Sequence, residues 1–354
     1  MKRLLKKSGL AAIIASAVAS VFALTGCGPD GFFKGVGYGK YSNAGSYSVG
    51  NFTYSAEQVS SIDMDWVKGD ITFVVTDGDT LSVTETSDNL EDKKKIHWYI
   101  DGSTLMIKFW QSGLHGTVNS TDKRVTVEIP QSLESFVVYN TSGNINAQAL
   151  SAASVYVGTT SGDIKIDAVT AEGKAKIEST SGKVGVGEIN GSEVQVDTTS
   201  GDIELSKVAS AGKVSVDSTS GDIKINELKG VSASVDTTSG DITVSSAVVE
   251  GEYRIDTTSG SLNIGKINAG SLALDTTSGD ANIVIEKLGS GRIDSTSGDI
   301  SLSSLGQGLT VKFDTSSGKL VTVKEHTVSG KSYIFGDGEC KLTIDTSSGD
   351  LLVR

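Results

Sequence analysis

The stretch Asp197-Thr198-Thr199-Ser200-Gly201-Asp202-Ile203 returns along the chain with small variations, and its Thr-Ser-Gly core occurs nine times. The glycines at 143, 162, 182, 201, 221, 240, 260, 279 and 298 stand 19 or 20 residues apart. Ser-Ser-Gly versions follow at Gly318 and, after a longer step, at Gly349. On both sides of the glycine, apolar residues alternate with period 2, the spacing of a strand. Five residues before it stand Val138, Val157, Ile177, Val196, Val216, Val235, Ile255, Leu274, Ile293, Phe313 and Ile344. Two residues after it stand Ile145, Ile164, Val184, Ile203, Ile223, Ile242, Leu262, Ala281, Ile300, Leu320 and Leu351. The positions between, such as Lys165, Glu204, Lys224 and Thr243, are mixed. Each repeat therefore holds two short strands with one core face and one wet face.

A unit this short cannot bury its own apolar face, so successive units must stack. The expected fold is all-β: a single-stranded β-solenoid, β-helix-like, of about ten to eleven coils of 19–20 residues. The nine steps from Gly143 to Gly318 would span about 43 Å at the ~4.8 Å spacing of neighbouring strands. Proline interrupts such ladders, and both prolines, Pro29 and Pro130, lie outside the repeats. Gly201, Gly221, Gly240, Gly260, Gly279 and Gly298 are read as structural turn residues that supply the positive φ of a sharp corner. Three residues before them, Thr198, Ser218, Thr237, Thr257, Thr276 and Ser295 alternate inward. An internal hydroxyl ladder is expected there, each hydroxyl donating to the next coil.

The chain opens with Lys2, Arg3, Lys6 and Lys7, continues with an apolar stretch from Leu10 to Leu24, and reaches Leu24-Thr25-Gly26-Cys27. This resembles a bacterial lipoprotein signal peptide. The resemblance implies removal of residues 1–26, lipid on Cys27, and an extracytoplasmic protein held on the bacterial membrane at the cell surface. Residues 27–50, rich in Gly, Ser and Tyr, are read as a flexible tether. Residues 51–140 are read as an irregular β N-terminal cap holding Trp66, Trp98 and Trp110, with strands separated by Asp77-Gly78-Asp79 and Asp101-Gly102-Ser103. Residues 141–354 carry the regular repeats, with an insertion near 321–340 in which Tyr333, Ile334 and Phe335 would plug the far end. Cys340 has no partner once Cys27 is lipidated, so no disulfide framework exists.

The formal charge of −12 becomes −16 without the four cations of residues 1–26, which argues against nucleic acid as a partner. The acids form two rows. Four residues before the glycines stand Asp197, Asp217, Asp236, Asp256, Asp275, Asp294, Asp314 and Asp345; just after them stand Asp163, Asp202, Asp222, Asp241, Asp280, Asp299 and Asp350. Carboxylates from adjacent coils, Asp197, Asp202, Asp217, Asp222, Asp236 and Asp241 among them, could supply the oxygen ligands calcium prefers. Alternatively each Asp caps the turn backbone. No other cofactor is expected. His97, His115 and His326 show no metal-ligand spacing, and neither a phosphate loop nor a nucleophile motif is present. The uniformly short loops would not build the cleft of a polysaccharide-active β-helix enzyme.

The repeat from Asp197 to Ile203, together with Ile62-Asp63-Met64-Asp65-Trp66-Val67-Lys68-Gly69-Asp70-Ile71, resembles the bacterial putative-adhesin family of β-strand-repeat domains of unknown function, the toast-rack-like domains. The resemblance implies a surface-exposed β-solenoid in the cell envelope, without catalytic residues. The expected function is non-catalytic binding or adhesion to a protein or glycan ligand, with envelope-stress sensing or scaffolding as the alternative.

Overall fold

The computed structural model describes residues 39–87, 90–114, 123–130 and 132–354; Cys27 and His115 lie outside them. Each repeat folds as its alternation dictates. Residues after a glycine form one strand, as in Ile203–Ser210, and residues before the next form a second, as in Lys213–Ser220. Strands one coil apart pair parallel and in register: Ile203 lies between Val184 and Ile223, and Val216 between Val196 and Val235. Two parallel sheets result. The leading sheet contains the strands that follow the glycines and the trailing sheet those that precede them. In several coils one long strand bends through the corner between the sheets, as in Ile242–Ser259 and Ala281–Ser297.

The inward columns fill the space between the sheets. Val157, Ile177, Val196, Val216, Val235 and Ile255 on the trailing side and Ile145, Ile164, Val184, Ile203, Ile223 and Ile242 on the leading side are at most 1% exposed. Most of these side chains are β-branched, with the restricted χ1 that packs well on a pleated surface. Burying each is worth about 1.5–3 kcal/mol. They belong to one continuous core that runs from Tyr41 to Val353.

The turn glycines stack directly on one another. A Cβ on Gly221 would lie 2.1 Å from the Gly201 carbonyl oxygen, and one on Gly260 1.9 Å from that of Gly240. The positive φ expected from the sequence is present at Gly240, Gly260, Gly279 and Gly298, at 158, 152, 130 and 129°. Gly201 and Gly221 lie outside that region, so close approach of backbones, rather than φ, is the requirement that all six share.

Spatial order departs from chain order at both ends. The strand Cys340–Ser348 lies between Ala281–Ser297 and Leu309–Thr315, and Leu351–Val353 lies between Ile300–Ser304 and Leu320–Thr322. The last coil in the sequence is therefore intercalated, and the coil of Gly318 forms the tip. The glycine column agrees: a Cβ on Gly349 would meet the Gly298 oxygen at 2.0 Å, and one on Gly318 the Gly349 oxygen at 1.9 Å. The segment between holds the antiparallel strands Thr327–Ser329 and Ser332–Phe335, which extend the trailing sheet beyond Leu309–Thr315 and bury Phe335.

At the other end, Ser61–Lys68 lies between Thr104–Lys108 and Leu133–Ser142, and Ile71–Val75 between Arg124–Ile129 and Ile145–Ser161. The region read as a cap thus contributes coils of its own, and the glycine column begins at Gly69. Twelve stacked glycines, from Gly69 to Gly318, make a column of about 53 Å. Thr80–Thr86 and His97–Asp101 pair antiparallel beyond the two parallel ladders, and Phe52–Ser55 and Ser48–Val49 pair antiparallel beyond them in turn. The flexible tether read for residues 27–50 does not reach residue 50. Tyr41 is buried and donates from its hydroxyl to the Trp110 carbonyl at 3.0 Å, and Ser48–Val49 pairs with Trp98 and His97. Ring contacts among Tyr41, Tyr47 and Tyr99 supply the apolar area that holds this segment down.

Candidate binding face

The two acidic rows occupy different places and do different work. The row after the glycines caps the turns: Asp222 N–H donates to Asp202 Oδ1 at 3.0 Å, Asp241 N–H to Asp222 Oδ1 at 2.9 Å, and Ser261 N–H to Asp241 Oδ1 at 2.7 Å. The same bond joins Asp299 to Asp280, Asp350 to Asp299 and Lys319 to Asp350. Each carboxylate therefore satisfies a backbone donor of the next coil.

The row before the glycines is not a turn cap. Because position −5 points into the core, position −4 points out, and in-register pairing lines these acids up on the trailing sheet. Glu178 lies beside Asp197, then Asp217, Asp236, Asp256, Asp275, Asp294, Asp345 and Asp314. Except at Asp275 and Asp345, each is held by the outward residue two positions earlier. Gln195 Nε2 donates to Asp197 at 2.7 Å, Ser215 Oγ to Asp217 at 2.9 Å, Ser234 Oγ to Asp236 at 2.6 Å and Arg254 Nε to Asp256 at 2.6 Å. Arg292 likewise bonds Asp294. The middle of the face, around Asp217 and Asp236, has only hydroxyl partners and is the most acidic part.

Burial pushes the carboxyls of Asp197, Asp217, Asp256, Asp275 and Asp294 above the usual carboxylate range, and neighbouring carboxylates in the column add to the effect. Asp236 is pushed up to about 6, by burial first and by Asp217 second, against the Ser234 hydrogen bond. At the tip Lys312, bonded to Asp314 at 2.8 Å, pulls that carboxyl down instead. An aspartate whose folded pKa is raised favours the folded state below its unfolded value, near 3.9, and that stability is lost as pH rises through about 6. The protein is therefore expected to unfold at a higher temperature at pH 5 than at pH 7.5. Asp236→Asn should flatten this dependence and stabilise the protein by up to about 3 kcal/mol at pH 7.5, as read by urea unfolding at both pH values. A variant less stable than the parent at pH 7.5 would contradict the reading.

Asp197, Asp217 and Asp236 thus lie in one column and Asp202, Asp222 and Asp241 in the other, where a backbone N–H already occupies each carboxylate. Among the described residues no group of three or more His, Cys, Asp or Glu side chains is placed to hold a metal ion. The internal hydroxyl ladder is not formed. Thr198, Ser218, Thr257, Thr276 and Ser295 are buried as expected, but their hydroxyls find no hydrogen-bond partner among the described residues, while Thr237 reaches the Gly221 carbonyl at 3.4 Å. Outward in-register hydroxyls do meet across coils, Ser154 Oγ with Ser135 Oγ at 3.4 Å and Ser278 Oγ with Ser259 Oγ at 3.5 Å, so strand spacing alone does not account for the inward row.

Sequence reasoning missed a buried ionic cluster at the N-terminal end of the stack. Lys108 pairs with Asp65, and the buried Lys123 pairs with Glu85 at 2.7 Å beside Trp66 and Phe109. A lysine among alternating residues gives no sign that its side chain is enclosed. Cys340 is buried and free, and burial pushes its thiol up to about 11.

Two packed parallel sheets with a stacked glycine corner define a β-solenoid whose surface consists of repeated columns. The Toastrack DUF4097 family model matches residues 59–247 and 193–354, and the chain belongs to that family. No curated protein matches it. Among solved structures, a putative cell adhesion protein from Clostridium sporogenes ATCC 15579 matches over 87% of this chain and 98% of its own, at 9% identity and a TM-score of 0.19.

Proposed function

We propose that this protein is a lipid-anchored, extracytoplasmic binding and adhesion module that works through its long regular faces and carries out no catalysis. The observation that carries this reading is the trailing face, where an unbroken column of carboxylates from Glu178 to Asp314 repeats at strand spacing. A surface of this kind offers many weak, equivalent contacts to an extended partner, a protein or glycan of the cell exterior, and gains strength by repetition. The Leu24-Thr25-Gly26-Cys27 box and the basic, apolar start support anchoring through Cys27. Residues 28–38 would then separate the lipid from the folded body, with the rod's N-terminal end nearest the membrane.

The test is a strain in which residues 51–354 are deleted while residues 1–50 are kept, compared with the parent for surface attachment and for recovery of crosslinked partners. Loss of both in the deletion strain is expected; unchanged attachment and recovery would sink the proposal. Metabolic labelling with a fatty acid, abolished by Cys27→Ser, tests the anchor separately.

A further inference from the structure

At the N-terminal end of the stack one lysine is enclosed between two carboxylates on the outer face of the trailing sheet. Because Ile62, Met64 and Trp66 point into the core, Asp63 and Asp65 point outward from the strand Ser61–Lys68. Register sets Lys108, at the end of Thr104–Lys108, directly beside Asp65. Lys108 Nζ donates to Asp65 Oδ2 and lies 3.8 Å from Asp63 Oδ1. His97 is in register with Lys108 on one side, and Tyr139 with Asp65 on the other. The Lys108 side chain is 2% exposed, that of Asp65 9% and that of Asp63 20%. The lysine pairs farther along the rod, Lys183 with Glu204 and Lys207 with Glu188, are open to solvent by contrast.

Charges in so dry a place are costly, and the fold holds these two partners in contact. Groups fixed in this way react as if at an effective concentration of roughly 10⁵–10⁸ M. An enclosed site also leaves little water to run a condensation backwards.

We propose that Lys108 and Asp65 condense to an intramolecular isopeptide bond, an amide between Lys108 Nζ and Asp65 Cγ, with Asp63 as the proton carrier. The Lys108 ammonium first gives a proton to Asp63, which frees the lone pair of the amine. The amine attacks Asp65 Cγ and forms the N–C bond. Breaking the Cγ–Oδ2 bond releases that oxygen as water, with the two protons the nitrogen has given up. Asp63 carries those protons from nitrogen to oxygen and ends as a carboxylate, the role of a general acid–base within reach of both. The step is a condensation and takes no oxidant, reductant or cofactor. A neutral amide then stands where an enclosed ion pair stood. The bond joins residues 43 positions apart, in the part of the rod that follows the N-terminal segment. A pull entering from the N-terminus would pass from Asp65 to Lys108 through the amide, so residues 66–107 would not be drawn out. The bond goes beyond the adhesion reading and does not depend on it.

The test is a tryptic digest of the full chain, denatured after purification and read by mass spectrometry. Trypsin cuts after Lys40, Lys68, Lys95 and Lys123 but not after an acylated Lys108. The expected product is a branched peptide in which residues 41–68 are joined to residues 96–123, lighter than their sum by one water. Fragmentation assigns the link to Lys108 and Asp65. Lys108→Arg should give residues 41–68 unbranched and a denatured chain that migrates more slowly in a gel, since no loop is closed. Asp63→Asn keeps the shape but cannot take the proton, and should lower the linked fraction at least tenfold. Residues 41–68 and 96–108 released from the parent as separate peptides would overturn the inference, whether or not the variants fold, and would leave the adhesion reading untouched. Linkage in Asp63→Asn as complete as in the parent would overturn the assigned proton route.

Discussion

Alanine in place of Gly260 is expected to lower the stability of the folded protein by about 3 kcal/mol or more. Its Cβ would stand 1.9 Å from the Gly240 carbonyl oxygen, a distance only movement of one coil away from the next can relieve. Such movement breaks parallel ladder bonds on both sides of the corner, and a φ of 152° adds its own strain. Gly221→Ala separates the two causes. Gly221 lies outside the left-handed region, yet a Cβ there would be 2.1 Å from the Gly201 oxygen, so a nearly equal loss is expected. If conformational freedom were the requirement, Gly221→Ala would fall within about 0.5 kcal/mol of the parent. Gly102 is the control: its φ is 61° with open space around it, and alanine there should cost only about 1 kcal/mol. Urea unfolding of the three variants reads the order directly. A small loss at Gly221 would show that the coils can part at the corner.

The same glycine column shows what could and could not be read from the chain. The inward columns were legible because a period of 2 within a period of 19 or 20 leaves one way to stack Val196 on Val216 and Ile203 on Ile223. The outward place of Asp217 and Asp236 follows from the same parity, since Val216 and Val235 point inward. What parity fixes is the face of a residue; it does not fix which coil lies next to which. The insertion of Cys340–Val353 between the coils of Gly298 and Gly318 leaves every face unchanged, and the closure entropy of a 31-residue step differs little from that of a 20-residue one. Parity likewise set the inward direction of Thr257 and Thr276 but not whether their hydroxyls would meet, and neither bonds the other. The outward carboxyls find their partners within their own strand instead: Asp217 accepts from Ser215 Oγ and Asp236 from Ser234 Oγ.

Replacing Lys123 by methionine is expected to destabilise the protein by about 3–5 kcal/mol, although methionine nearly matches the aliphatic stem in volume. Lys123 is fully buried, and burial lowers the pKa of its ammonium. Its Nζ donates to the Lys94 carbonyl at 2.8 Å and to that of Phe109, meets Glu85 Oε1 at 2.7 Å, and lies 4.9 and 4.3 Å from the ring centres of Trp66 and Phe109. Methionine would leave Glu85, 4% exposed, as an enclosed carboxylate with Ile96 N–H at 2.9 Å, while both carbonyls lose their donor. The effect should reach the stack itself, because the Lys123 carbonyl would lie 2.2 Å from a Cβ on Gly69 and so forms the first rung of the glycine column. Lys123→Met combined with Glu85→Gln removes the stranded charge and should recover more than half of the loss. Urea unfolding followed by tryptophan fluorescence, which Trp66 reports from beside the ammonium, measures both variants. A single variant within about 1 kcal/mol of the parent would show that the enclosed ion pair contributes no more than its packing.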